Sequence, residues 1–193
     1  MLALSQMKKA SLFAATLLVA SSLPFSAYAA PPALNSNAPT VALTATLGET
    51  LSLSTSASSV SFTLVSGSTV TGSTGVPITT NWVLNPSRTS VKLYGFFASS
   101  TPALTDGLAT PDLIPSADVL GQVTTGAPTT FTAFSQTAAG FGGASASLLL
   151  YNQPITSTFV GNRTDNLNLE IATPATLPAG TYTGTITLMA QAN

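Results

Sequence analysis

The run Thr181-Tyr182-Thr183-Gly184-Thr185-Ile186-Thr187-Leu188-Met189-Ala190 decides the fold. Threonine holds every odd position from 181 to 187, while Tyr182, Gly184, Ile186, Leu188 and Ala190 hold the even ones. Successive side chains of a strand point to opposite faces, so this alternation predicts one face on a core and a hydroxyl-rich face in water.

The same period of two recurs toward the N-terminus. It runs through Val41, Leu43, Ala45 and Leu47, then Leu51 and Leu53, then Val60, Phe62 and Leu64. It returns at Val91, Leu93, Gly95 and Phe97, around Phe131 to Phe134, and at Leu167, Leu169 and Ile171. Leu148-Leu149-Leu150 reads as a strand covered on both faces. Between these runs lie Ser-Gly-Ser, Asn-Pro-Ser, Thr-Asp-Gly and Pro-Ala-Gly, all of them turn chemistry. No stretch carries apolar residues at helical spacing over three turns, and one helical turn near Pro115 to Leu120, with Ser116 as its cap, is the most that is expected. About eight to ten short strands at this spacing predict an all-β fold, a two-layer antiparallel β-sandwich of immunoglobulin-like Greek-key type, with a closed barrel as the alternative. Regular structure is expected from Thr40, with residues 40–193 forming a single domain behind a flexible, proline-containing segment at residues 30–39.

Residues 1–29 read as a secretory signal peptide. Lys8 and Lys9 precede the apolar core Leu12 to Ala20, Pro24 breaks it, and Ala27-Tyr28-Ala29 supplies the small residues of a cleavage site. The apolar core is shorter than a membrane span, and no later stretch would stop transfer. The expectation is an exported chain, periplasmic, on the cell surface or extracellular, with no transmembrane span after cleavage. Loss of the leader removes two of the five basic residues, leaving three cations against six carboxylates and a net charge of −3. So few cations cannot neutralise a run of phosphates, which argues against nucleic acid as a partner.

Cysteine is absent, so no disulfide can staple the chain; stability must come from the core and the hydrogen-bonded sheets. Charged residues make up 6% of the sequence, so the surface must be dressed in Thr, Ser, Asn and Gln. Low net charge removes much of the repulsion that keeps soluble proteins apart, which makes self-association easier. The expected partners are the chain itself or other envelope subunits.

Histidine is missing as well, and with it goes the commonest general base and metal ligand. Ser90 and Lys92 form the one serine–lysine pair, without an oxyanion-hole motif. Asp106, Asp112 and Asp118 share a loop-rich stretch but lack calcium-loop spacing, and read as solvated turn residues. The glycine-rich stretch at residues 138–144 precedes a strand and not a helix, so it reads as a connection and not as a phosphate cradle. Asn162-Arg163-Thr164 matches a glycosylation pattern that is accidental in a bacterial host. Arg163 and Asp165 sit two apart on one strand face, where a structural ion pair or a cross-strand partner is expected and not a binding site. No catalytic, cofactor-binding or metal-binding residue is assigned, and no cofactor is expected. Trp82, the lone tryptophan, reads as a core residue pinning two sheets; if exposed, it would offer a stacking surface to a sugar. Tyr94 and Phe96 share a face with Lys92 and could form an exposed aromatic contact strip.

The stretch Leu177-Pro178-Ala179-Gly180-Thr181-Tyr182-Thr183-Gly184-Thr185-Ile186-Thr187-Leu188 resembles the closing strand of secreted bacterial β-sandwich families. Among them are chaperone–usher pilins, spore-coat-U-like proteins and uncharacterised exported proteins with the same ending. A pilin's last strand has a glycine well before its end, alternating apolar residues after it, and a penultimate tyrosine. Gly180, Ile186, Leu188 and Ala190 take those places, whereas Ala192 stands where the tyrosine would be and the disulfide common in such subunits is absent. The resemblance implies a structural or adhesive, fimbrial-like surface subunit; the alternative function is a monomeric secreted module that binds a glycan or envelope polymer. Val41, Leu43, Ala45 and Leu47 can accordingly be read in two ways, as the first strand of a complete sandwich or as a strand donated to a neighbour.

Overall fold

Thr50 opens the first strand of a chain built almost wholly from antiparallel ladders, in a computed structural model that describes residues 34, 37, 39–138 and 140–193. Eleven strands follow in order: β1 (Thr50–Thr55), β2 (Thr69–Thr71), β3 (Val76–Val83), β4 (Ser90–Phe96), β5 (Leu104–Thr105), β6 (Leu113–Ile114), β7 (Val119–Val123), β8 (Thr132–Ala133), β9 (Ser147–Pro154), β10 (Val160–Ala172) and β11 (Thr187–Ala192). The expected signal peptide lies outside the described residues.

β5 and β6 form a short ladder of their own; of the two larger sheets, one runs β1-β3-β10-β7-β8, with β2 pairing the far half of β10, and the other runs β11-β4-β9. Their inner faces meet in a common core that includes Ile78, Val91, Leu93, Leu148, Leu167 and Ile171. The fold is a two-layer β-sandwich, as the periodicity predicts, and not a closed barrel. In the first sheet, β1-β3-β10-β7 follows the A-B-E-D order of an immunoglobulin-type sandwich. In the second, β4 and β11 take the places of strands C and F, with β9 on the other side of β4. Beyond β11, where such a sandwich carries strand G, no strand is found among the described residues.

The patterns behind the strands are visible in burial. Val91, Leu93 and Gly95 of β4 face inward, and the even positions Leu188 and Ala190 of β11 pack on the core. The triple leucine is resolved by a bulge, since Tyr94 pairs with Leu149 and Leu93 with Tyr151, leaving Leu150 as the extra residue. Leu148 and Leu150, two apart, share the inner face and are both fully buried, while Leu149 is only half-covered on the outer face. Two inward glycines, Gly95 on β4 and Gly121 on β7, leave a space between the sheets that Phe134 fills; a Cβ on either would stand 3.0 Å from its ring. Phe134 also meets Phe97 edge-on, with centroids 5.3 Å apart. The helical turn is a single 3-10 turn at Ser116–Asp118; Ser116 caps nothing, and its hydroxyl donates instead to the Ser145 carbonyl at 3.2 Å.

Several expectations are corrected. The run that opens the argument is a strand only from Thr187; Thr181 to Ile186 lie outside β11 and make only an isolated bridge at Thr183. Regular structure begins ten residues later than Thr40, at Thr50. Val41, Leu43, Ala45 and Leu47 form no strand, and Val41, Leu43 and Leu47 are 81%, 93% and 83% exposed. Alternation fits a segment to a pleated surface without providing that surface. Val60, Phe62 and Leu64 likewise lie outside any strand, although their alternate burial follows the expected period.

Candidate functional site

Beside the start of β11 opens a groove of about 650 Å³. One bank is the chain that continues from β1, carrying Ala57, Val60, Phe62 and Leu64. The other bank precedes and enters β11, carrying Gly180, Tyr182, Ile186 and Leu188. Val76, Phe97, Val119, Leu169 and Ile171, all buried core residues, form the floor. The groove is thus the hydrophobic interior of the sandwich reaching the surface along one side. Between its apolar side chains the banks carry hydroxyls, among them Ser59, Ser61, Thr181 and Thr185.

Main-chain pairing along the banks is sparse. Thr183 bridges to Thr105, with hydrogen bonds of 2.9 Å in both directions, and Ser73 donates to the Ser61 carbonyl at 2.9 Å. The Thr105 bridge holds the chain close at Gly184, where an added Cβ would collide with the Ala103 carbonyl. Tyr182 is steadied by its own hydroxyl, which donates to the Pro178 carbonyl at 2.9 Å. The sequence placed Gly180, Ile186, Leu188 and Ala190 on one assembly strand; the structure puts the first three on the groove, and Ala190 on the core farther along β11.

The opposite end of the sandwich is closed by polar groups. Glu49 accepts from Arg88 Nε at 3.1 Å, from Arg88 Nη2 at 3.0 Å and from the Asn85 N–H at 2.7 Å. Arg88 also donates to the Ala192 carbonyl at 3.3 Å. The guanidinium, helped by the Asn85 N–H, holds the Glu49 carboxyl down to about 2. With the folded value depressed, the charged pair is complete above the ordinary carboxylate range and is lost only as pH falls toward 2. No sequence motif announces this latch, because its partners lie in three separate parts of the chain.

The aromatic candidates divide. Trp82 is 6% exposed and belongs to the core; its ring lies against Gly161, where a Cβ would come within 2.9 Å of it. Among the described residues its Nε1 has no hydrogen-bond partner. Tyr94 and Phe96 do share the outer face of β4, but Phe141 packs on both, with centroids 5.3 and 6.0 Å away. Phe141 comes from the glycine-rich connection, where Gly140 and Gly142 take positive φ of 80° and 68°. That covering ring lay beyond the reach of strand periodicity.

A smaller cleft of about 340 Å³ lies beside Trp82, between Gln153, Ile155, Asn162 and Arg163. A buried Trp82 predicts short-wavelength emission, weak quenching by iodide and no response to added oligosaccharides. Emission of a solvated indole, or a saturable change with sugar, would place the ring at a surface site instead.

The remaining candidates are structural. Arg163 donates to Asp165 through Nε at 2.7 Å and Nη2 at 2.9 Å, and Thr125 donates to the same carboxylate at 2.6 Å. Arg163 also reaches the Thr125 carbonyl and Gln153 Oε1, and lies 4.5 Å from the centre of the Tyr151 ring. Asp106 accepts from the Leu108 and Asp112 N–H groups at 3.2 Å each, the local turn bonding that its sequence suggests. Ser90 and Lys92 lie on β4, and Asp118 on the 3-10 turn. No cluster of three or more metal-ligating side chains occurs among the described residues, and no helix of the described residues is long and apolar enough to cross a membrane. No family model matches this chain, and no curated protein or solved structure shows a significant similarity to it.

Proposed function

We propose that this protein is an exported structural or adhesive subunit of a bacterial envelope, working by association and not by catalysis. One observation carries the reading: a folded sandwich leaves an apolar groove of about 650 Å³ along its side, while the same chain keeps Val41, Leu43 and Leu47 exposed. Apolar surface on both elements favours association, and a surface with little charge opposes it weakly. The leader-like residues 1–29 and the pilin-like ending support export and a surface role. A glycan-binding module is less well supported, because Trp82 is buried and Phe141 packs on the Tyr94 and Phe96 strip.

Sedimentation of the exported protein over a wide concentration range, with electron microscopy of the same samples and fractionation of the cells, tests the proposal. Concentration-dependent assemblies and recovery with the envelope are expected. A strict monomer at the highest concentration, never found on cells or in fibres, would overturn it.

A further inference from the structure

We infer that the outer face of β11-β4-β9 is a surface on which two copies of the chain meet, face to face about a twofold axis. The inference rests on the associating-subunit reading above and gives it a second surface and a symmetry.

The two sheets dress their outer faces differently. On β1-β3-β10 the rows that cross the strands are Ser52, Asn81 and Asn162, then Ser54, Thr79 and Thr164, hydroxyls and amides throughout. On the other sheet the register sets Met189 beside Tyr94 and Tyr94 beside Leu149, an apolar row across all three strands. Phe96 extends it on one side, where Phe141 packs on both Tyr94 and Phe96. On the other side the row Gln191, Lys92 and Asn152 is polar. All five apolar side chains keep some exposure, and Met189 is 38% exposed. The outer face of an antiparallel sheet is ordinarily the solvated one, so a centre of aromatic, methionine and leucine side chains beside a polar margin marks a contact surface.

The charge on this face selects its occupant. Lys92 is the only charged residue of β4, β9 and β11. A second copy laid on the first, with the axis running along the row Met189-Tyr94-Leu149, brings each of these side chains against its own counterpart. Strand direction reverses across that axis. Lys92, two residues before Tyr94, therefore lies over Phe96 of the other copy, two residues after it, and near its Phe141. The one cation meets aromatic rings, a favourable pairing, and the two Lys92 are held roughly 13 Å apart along the strands. An axis parallel to the strands would set Lys92 against Lys92, and like charges brought together are unfavourable. The face is complementary to itself and needs no other partner to place its charge. Three strands present roughly 15 by 20 Å, less than the ~800 Å² per partner of a standard interface, so the contact is expected to be weak, with a micromolar or higher dissociation constant.

The test uses the exported protein, which has no cysteine of its own. Met189→Cys puts a thiol at the axis, Lys92→Cys puts one away from it, and Asn81→Cys puts one on the opposite outer face. Under mild oxidation, Met189→Cys should form disulfide-linked dimers roughly 10-fold faster than either of the others. In sedimentation, Met189→Asp should weaken association roughly 10-fold or more, while Asn81→Asp leaves it unchanged. Both aspartate variants should melt as the parent does, since both positions are exposed. Three equal cross-linking rates, or Lys92→Cys as fast as Met189→Cys, would overturn the inference. So would a folded Met189→Asp variant that associates like the parent; the associating-subunit reading would survive each of these results. If Met189→Asp fails to fold, the cysteine rates decide. A parent that never associates defeats both.

Discussion

Phe134→Ala is expected to destabilise the sandwich by about 3–5 kcal/mol, the range for removing a buried phenylalanine side chain. The upper part of that range is favoured by what surrounds the ring. Gly95 and Gly121 face it from the two sheets, and neither has a side chain that could move into the space. Phe97, edge-on to it at 5.3 Å, loses its aromatic neighbour. Thermal unfolding followed by circular dichroism should show a drop of the order of 10 °C or more, and Phe134→Leu should recover much of it. A shift of only a degree or two would mean that the sheets close over the gap and that Phe134 does not set their spacing.

Asp165→Ala is the second large effect, at about 3 kcal/mol, and its cause is electrostatic. The Asp165 side chain is 1% exposed and that of Arg163 only 20%, so the alanine variant leaves a guanidinium poorly solvated and without its carboxylate. The Thr125 hydroxyl loses its acceptor in the same step. Replacing the pair together, Arg163→Met with Asp165→Leu, should restore a substantial part of the loss, because apolar residues of similar volume need no mutual compensation. Urea denaturation of the three variants checks this. If the double replacement is as unstable as Asp165→Ala, the Arg163 contacts to Gln153 and to the Tyr151 ring carry the stability, and the ion pair is incidental.

Much of the architecture was legible because burial on one face leaves a period of two in the chain. Val91, Leu93 and Gly95 kept their predicted face, as did Leu188 and Ala190. Of the two structural roles their spacing on a strand allowed, Arg163 and Asp165 take that of an ion pair. What periodicity could not show was what each face meets. Val41 to Leu47 alternate as well as any strand here, yet they lie in none. Val60, Phe62 and Leu64 alternate too, and they border a groove instead of pairing in a sheet. Phe134 and Phe141 fill or cover their sites from short or irregular segments whose positions depend on the assembled sheets. Thr80 at an inward position of β3 conceals a buried site behind a polar letter.

The pairing of β10 with β3, and of β11 with β4, also sets the order in which the molecule can form. Thr79 meets Thr164 across a separation of 85 residues, and Tyr94 waits for Met189. Both β10 and β11 come late in the chain, so neither sheet is complete until most of it has been made. Ladders joined across such distances form slowly, because a long loop must be closed before any contact rewards it. Until β10 and β11 have been made, only nearer pairings, such as that of β1 with β3, are available to the chain.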